Sequence, residues 1–451
     1  MSASNHDENP VNRRTFLAAI PVVAATASAA SAAGEEKLAI DGGKPVRGAG
    51  LWSSYPGTQF YDDKERTQLL EAYDTHSLFR FYGPKEPKKV AQFEKEFGQL
   101  MGAKYALCVT SGTAALHVGL TALGVGPGDE VILPAWAWHA CYGAIVMTGA
   151  LPVFAEVDES FQIEPGDIAR KITPQTKAIM VLHLFGASAD MDRILPITKQ
   201  HNLKILEDTA QSVGAYYHGK RAGTFGDVGA YSFQIHKFMT SGEGGCLITN
   251  NPAMYERAIR FHDLSMVRPI HEKILGQPSM QMPGINYRMN EMCGAILLGQ
   301  LPKLDDMINR HRRNHRYVRE RIQELPGIKM RHSHDPEGEV GWTIDLLLPD
   351  KKTRDRFLAA MRAENVSMVP PSAAYPIAVE PYIVNKAAPH PAWPTFNTPR
   401  GKAIRYGAEC CPKTIAIHDR AASLTIGPKY TESDLKDIVA AITKVHRVLR
   451  V

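Results

Sequence analysis

Lys237 stands alone in the nearly uncharged run YSFQIHKFMTSGEGG at residues 231–245. A lysine set between two apolar strands is costly to bury as a cation, so it must pair, lose its proton or react. Desolvation lowers the pKa of its amine and makes it a nucleophile and a Schiff-base former. On an exposed hairpin turn the same residue would do none of this. Two other segments offer it company. In TSGTAAL, residues 110–116, a β-type run passes through Ser-Gly-Thr into a helix. Gly112 and Thr113 would leave backbone N–H groups free and let a phosphate approach closely, although an ordinary capped helix has the same look. In ILEDTAQS, residues 205–212, Glu207 and Asp208 follow an apolar strand at the edge where open α/β sheets bind ligands. One carboxylate there serves equally as a helix cap.

Taken together, a phosphate cradle, a carboxylate at the head of a sheet and a Schiff-base lysine are what pyridoxal 5'-phosphate requires. The carboxylate keeps the pyridine nitrogen protonated, because a nearby negative charge favours the cationic form. A protonated ring withdraws electrons from the carbanion formed during amino-group transfer. Lys237 would then be held as a Schiff base with the cofactor rather than as a free ammonium.

The elements that must position these residues are legible as alternating short β-type runs and helical stretches from about 100 to 250. YALCVTSG, DEVILPA, LPVFAEVD, KAIMVLHLFG and LKILEDTA are brief apolar runs suited to strands buried on both faces of a mostly parallel sheet. DVGAYSFQ and GGCLITN read as a pair around the lysine segment. This predicts an α/β layered domain over residues 34–300. LPKLDDMINRHRRNHRYVRERIQEL is a long helix leading to a second, smaller α+β unit over 301–451. GWTIDLLLPD is its strand, TRDRFLAAMRAEN a helix, 369–399 an irregular Pro-rich stretch, and TESDLKDIVAAITKVHRVL a closing helix capped by Thr431 or Ser433.

The chain has 451 residues, 44% hydrophobic and 22% charged, with a formal net charge of +5. That charge is dispersed, which argues against nucleic acid as a partner. The six cysteines show no zinc-ligand spacing and are expected to be mostly buried thiols; adjacent Cys410 and Cys411 are a poor disulfide pair. Residues 1–33 read as a twin-arginine signal, with Arg13 and Arg14 ahead of an Ala-rich apolar run and a small-residue cleavage site near Ala30-Ser31-Ala32. The expectation is an exported, periplasmic protein with no stable membrane span after processing, or a cytoplasmic one if the signal does not function.

The ordered set TSGTAAL, EDTAQS, YSFQIHKFMTSGEGG and GINYRMNEMCGA resembles the DegT/DnrJ/StrS family of pyridoxal-phosphate-dependent sugar aminotransferases, from about residue 38 to the C-terminus. The resemblance implies the three-layer fold type I of PLP-dependent transferases, with Lys237 as the Schiff-base lysine and Asp208 holding the pyridinium nitrogen. Gln211 would contact the cofactor, and Gly112, Thr113 and Ser232 would bind its phosphate. Trp138 in PAWAWHA would stack on the ring, in preference to Trp136. Asn286 would reach the phosphate of a neighbouring subunit's cofactor, implying a homodimer with shared active sites. The implied reaction moves an amino group from glutamate or glutamine to a keto sugar, a nucleotide-linked keto sugar or a keto cyclitol. The alternatives are a PLP-dependent sugar dehydratase, or an exported, catalytically idle homologue that binds a sugar or a partner. Dehydratases of the family carry histidine in place of the lysine, so Lys237 favours transamination. Gln234 stands where many nucleotide-sugar members have histidine and is more like the inosose aminotransferases. SAAYPIAVEPY departs from the family's HY-x-PLH-x-QP-x-Y segment, which helps shape the substrate pocket.

Overall fold

The apolar runs between residues 105 and 249 lie side by side as a seven-stranded sheet in a computed structural model, which describes residues 36–52, 55–86, 88–276 and 280–450. In chain order the strands are β1 (Tyr105–Val109), β2 (Glu130–Pro134), β3 (Trp136–Ala137), β4 (Leu151–Ala155), β5 (Thr176–Leu182) and β6 (Lys204–Asp208). A two-residue hairpin, β7 (Tyr216–Tyr217) and β8 (Lys220–Arg221), precedes β9 (Val228–Ser232) and β10 (Gly245–Thr249). The sheet order is β1-β10-β9-β6-β5-β2-β4, and within it β10 runs against the other six. The sheet is thus mostly parallel, as the sequence predicts. β2, β4, β9 and β10 are buried at every position. That explains why they read as unbroken apolar runs, since a sheet covered on both faces has no solvent side to demand alternation.

Successive side chains divide between two cores because they leave a strand on opposite faces. Leu107, Val109, Val228, Ala230 and Leu247 join α3 (Gly112–Ala122) and α4 (His139–Met147), which follow α1 (Asp63–Asp74) and α2 (Lys89–Met101) in the chain, in the larger core. Ala106, Cys108, Tyr231, Cys246 and Ile248 join the helix Lys89–Met101 in the second, where Phe93 and Phe97 stack at 5.4 Å. Helices therefore cover both faces and the layers number three. The six cysteines are free thiols, Cys108, Cys141, Cys246 and Cys411 fully buried.

The C-terminal part builds a three-stranded antiparallel sheet from β11 (Lys329–Met330), β12 (Thr343–Leu347) and, after the two-residue β13 (Tyr375–Pro376), β14 (Ala421–Thr425). The helices Leu304–Ile322, Lys351–Ala363 and Glu432–Leu449 pack on it around Val318, Ile344, Phe357 and Ile438. Thr431 caps the last helix by accepting from the Asp434 N–H. Leu38 also enters this core, and Glu364 receives the N–H groups of Ala39 and Val46 at 2.8 and 2.9 Å, so residues 38–46 dock here. Residues 37–451 form one compact unit.

The Pro-rich stretch is less irregular than its composition suggests. β13 pairs antiparallel with β3, Tyr375 opposite Ala137 and Pro376 opposite Trp136. A segment from the C-terminal third thereby joins the carboxyl edge of the main sheet. The paired arginines and the Ala-rich run lie outside the described residues; among the described residues no helix is long and apolar enough to cross a membrane.

The two tryptophans of PAWAWHA have opposite surroundings. Trp136 is fully buried and stacked on Phe161 at 4.5 Å, whereas Trp138 is 48% exposed. Trp136→Ala is expected to cost about 3–5 kcal/mol of stability and Trp138→Ala less than about 1 kcal/mol, measured by denaturant unfolding.

Candidate active site

Asp208 ends β6 and Ser232 ends β9, its parallel neighbour, so both side chains reach the same carboxyl edge of the sheet. Strand alternation sends the adjacent carboxylates of residues 207 and 208 to opposite faces. Glu207 is fully buried and accepts from the N–H groups of Gly223 (2.8 Å) and Gly226 (2.5 Å) and from His183 Nε2 (2.9 Å). The Ala189 N–H donates to His183 Nδ1 at 3.1 Å, so the ring proton sits on Nε2 and points at Glu207. This pair braces the strand end on the face opposite Asp208. Asp208 faces the α3–α4 side instead. Its Oδ1 accepts from the Ala210 N–H at 3.0 Å and its Oδ2 from the Cys141 thiol at 3.2 Å. Burial first, and then the charge of Asp208, push the Cys141 pKa well up, which keeps the sulfur a donor.

After Ser232 the chain turns sharply. The Lys237 N–H donates to the Gln234 carbonyl at 2.9 Å, and Gln234 Oε1 takes the His236 N–H at 2.9 Å. The Gly57 N–H donates to the Lys237 carbonyl at 3.1 Å, and a Cβ on Gly57 would come within 2.8 Å of that oxygen. A glycine is therefore needed for residues 55–60 to lie across the lysine turn. Lys237 is half-buried, and its Nζ makes no hydrogen bond or ion pair among the described residues. Its pKa is lowered: burial dominates, and the negative charge of Asp208 offsets it only in part.

At the start of α3, Ser111 caps the helix through Oγ, which accepts the Ala114 N–H at 3.0 Å. The N–H groups of Gly112 and Thr113 have no acceptor among the described residues. A Cβ on Gly112 would lie 2.6 Å from Ser232 Cβ, so only glycine lets the helix start sit against the Ser232 side chain. Two unpaired amides at a helix N-terminus, beside a serine, form an anion cradle.

Seven of the eight residues singled out from the sequence thus gather at one edge. Trp138 immediately precedes α4, exposed, with its ring edge-on to His139 at 5.4 Å. Gln211 is a clip: its Oε1 accepts the Phe185 N–H at 3.2 Å and its Nε2 donates to the Ala373 carbonyl at 2.7 Å. Asn286 is the exception. Its segment runs past the end of β1, where the Thr110 N–H donates to the Tyr287 carbonyl at 2.9 Å. The Asn286 side chain itself is exposed, and among the described residues its hydrogen bond is from the Arg288 N–H, at 3.3 Å.

The sequence profile of the DegT/DnrJ/EryC1/StrS aminotransferase family matches residues 61–443. The chain belongs to that family. It is 34% identical to a GDP-perosamine synthase of Escherichia coli O157:H7 over 69% of its own length and 84% of the relative's. It is 30% identical to an L-glutamine:2-deoxy-scyllo-inosose aminotransferase of Micromonospora echinospora over 92% and 99% of the two chains. Among solved structures, 3-amino-5-hydroxybenzoic acid synthase superposes with a TM-score of 0.74 at 27% identity, covering 89% of this chain and all of that one. The protein is a PLP-dependent aminotransferase of fold type I.

The residues present fit the cofactor of this family. The unpaired amides of Gly112 and Thr113 with the Ser232 hydroxyl can take its phosphate, and the twice-anchored Asp208 can face a ring cation. The exposed face of Trp138 can take the ring itself, and the unpaired Lys237 amine its aldehyde. Sequence reasoning missed Cys141, Gly57 and the surroundings of His139. Cys141 lies three residues after Trp138, one helical turn on, a spacing that brings it under the same site but reads like any core cysteine.

Removing the Cys141 donor leaves Asp208 with one anchor. Cys141→Ala is expected to raise the Kd for pyridoxal phosphate about two- to twelvefold, the range of one net hydrogen bond, and Cys141→Ser to restore it. Absorbance titration of the cofactor-free protein measures both.

Proposed function

We propose that this aminotransferase passes an amino group from glutamate or glutamine to the keto group of a sugar, a nucleotide-linked sugar or a cyclitol. The names of the relatives support this reading, since one makes an amino sugar linked to GDP and another uses L-glutamine with 2-deoxy-scyllo-inosose. The observation that carries it is the unpaired, desolvated Lys237 amine held across from Asp208.

Pyridoxal phosphate, when bound, supplies an aldehyde for the amino group and an electron-withdrawing ring for the electrons released at the donor's Cα. The chain supplies the rest. The N–H groups of Gly112 and Thr113 and the Ser232 hydroxyl would hold its phosphate at the positive end of α3. Asp208 would favour a proton on the ring nitrogen, and Trp138 would offer the ring an apolar face. Lys237 Nζ, whose pKa burial lowers, would take the proton from the donor Cα and return one in the acceptor half-reaction.

A homodimer belongs to the same proposal. Asn286 is exposed, with an apolar patch near it that includes Leu264 (51% exposed) and Ile285 (42%). Such a patch supports a covering copy of the chain, and Asn286 would then reach the partner's phosphate. Export is proposed from the Arg13-Arg14 layout alone.

Four outcomes check this reading. With glutamine or glutamate as the labelled donor, nitrogen should appear in a keto sugar or inosose, and Lys237→Ala should lower the rate at least about 100-fold. Borohydride reduction with added pyridoxal phosphate should label Lys237 in peptide maps; an unlabelled Lys237 would overturn the assignment. Because the amine's pKa is lowered, it loses its proton at lower pH than a free lysine, so this labelling should saturate below the ordinary value of 10.5.

A further inference from the structure

Two buried thiols that the reaction does not use stand directly opposite each other, Cys108 on β1 and Cys246 on β10. Antiparallel partners alternate between pairs that exchange backbone hydrogen bonds and pairs that do not, and the second kind brings the Cα atoms closer, to about 4.5 Å. The backbone of Cys108 shows which kind this is. Its N–H donates to Glu94 Oε1 at 2.6 Å and its carbonyl accepts from Arg80 Nη1 at 3.1 Å, so both point off the sheet edge and away from β10. Arg80 and Glu94 are joined in turn by a buried ion pair at 2.7 Å, which holds that edge. Cys108 and Cys246 are therefore a non-hydrogen-bonded pair, with both side chains in the core shared with α2.

Such a pair meets the geometry of a disulfide, whose Cα atoms lie about 4.4–6.8 Å apart with the side chains facing one another. The two thiols already meet. That of Cys108 hydrogen-bonds to the Cys246 sulfur, and the Cys246 thiol turns to the Leu247 carbonyl at 3.5 Å. Their place in the chain is equally telling. Cys108 lies four residues ahead of Gly112 in the phosphate cradle, and Cys246 follows Gly245, where the lysine turn ends. A Cβ on Gly245 would fall 2.2 Å from the Ser111 carbonyl, so the two strands are pressed together where they enter the site. A bond between the sulfurs would fasten the strand leading into the cradle to the strand leading out of the lysine turn.

We propose that Cys108 and Cys246 are a redox site, a dithiol that closes to a cross-strand disulfide by exchange with a small-molecule disulfide and so clasps the cradle strand to the lysine-turn strand. One cysteine, as thiolate, attacks the small disulfide and releases a first thiol. The other then attacks the mixed disulfide and releases a second. One S–S bond breaks and one forms, and the two electrons and two protons lost by the cysteines leave on the two released thiols. In the closed sheet burial raises the Cys108 pKa well, which keeps it a thiol. Among the strands β1 pairs with β10 alone, at the edge of the sheet, so exchange proceeds as β1 opens and is slow in the native protein. The clasp stays open in a reducing compartment and closes in an oxidising one. Nothing in it depends on which acceptor the enzyme aminates.

The test incubates the holoenzyme with oxidised glutathione, alkylates the remaining thiols in denaturant and maps the peptides without reductant. A parallel incubation contains urea below the unfolding transition, where β1 opens more often and access no longer limits exchange. Two of the six thiols should be lost to alkylation, and they should appear as one peptide pair joining Cys108 to Cys246 that dithiothreitol separates. The linked form should also unfold at a higher denaturant concentration than the reduced form, because the bond constrains the unfolded chain. Cys108 and Cys246 both alkylated after either incubation in urea or prolonged incubation without it, or joined to glutathione or to other cysteines, overturns the inference. Equal unfolding midpoints for the linked and reduced forms overturn the clasp as well.

Discussion

Everything at the sheet edge depends on keeping one amine and one carboxylate near each other without letting them pair. Asp208 is close enough to favour the charged form of Lys237, yet burial wins and the amine's pKa falls. Direct ion pairing would reverse that balance and hold the lysine as an ammonium, useless as a base or nucleophile. The carboxylate is instead fixed by the Ala210 amide and the Cys141 thiol, a weak donor that leaves its charge largely available. Among the described residues the lysine has no such anchor on its side chain. One partner of the pair is thus immobilised and the other left free to move a proton.

The surrounding scaffold is organised to keep this asymmetry. Parallel β6 and β9 end side by side, which brings Asp208 and Ser232 to one edge, and antiparallel β10 returns the chain so that the lysine turn is closed at both ends. The segment Tyr55–Phe60 lies across the turn through the Gly57 contact. Behind the edge, Glu207 collects three donors, two of them backbone amides from the 223–226 turn. A buried carboxylate is stable only when so satisfied, and losing one donor costs about 1–3 kcal/mol. That network therefore fixes where β6 stops, and with it where Asp208 points.

What was legible in the sequence follows the range of the interactions involved. Lys237, Asp208, Gly112 and Ser232 sit in short motifs whose local geometry, a helix start, a strand end and a turn, follows from neighbouring residues. The buried strands were equally plain because runs such as VILP and GCLIT are apolar throughout. Glu207 and Asp208 are alike as residues; the resemblance singles out Asp208, and the pleat sends the two carboxylates to different faces. His183 carries no local sign of its role because its partner lies 24 residues away, and Gly57 carries none because its contact is 180 residues distant in sequence. The stretch 369–399 was misjudged as irregular for a related reason: two residues of strand are too short for any period, and their partner, β3, is equally brief.

The same distinction separates the two halves of the reaction. The cofactor side is assembled from motifs within single strand–turn–helix units, and chains that share those motifs share the chemistry. Beside it, bonds spanning 236 and 243 residues tie α4 to a ribbon from the C-terminal third. A change at Tyr375 or Tyr382 alters no backbone hydrogen bond of the lysine turn and no hydrogen bond of Asp208. That ribbon can therefore vary while the lysine turn and the Asp208 anchors stay constant. Family membership for that reason carries over the cofactor and the reaction type with far more force than it carries over the substrate. The named relatives differ in that respect, one being a GDP-perosamine synthase and another an L-glutamine:2-deoxy-scyllo-inosose aminotransferase.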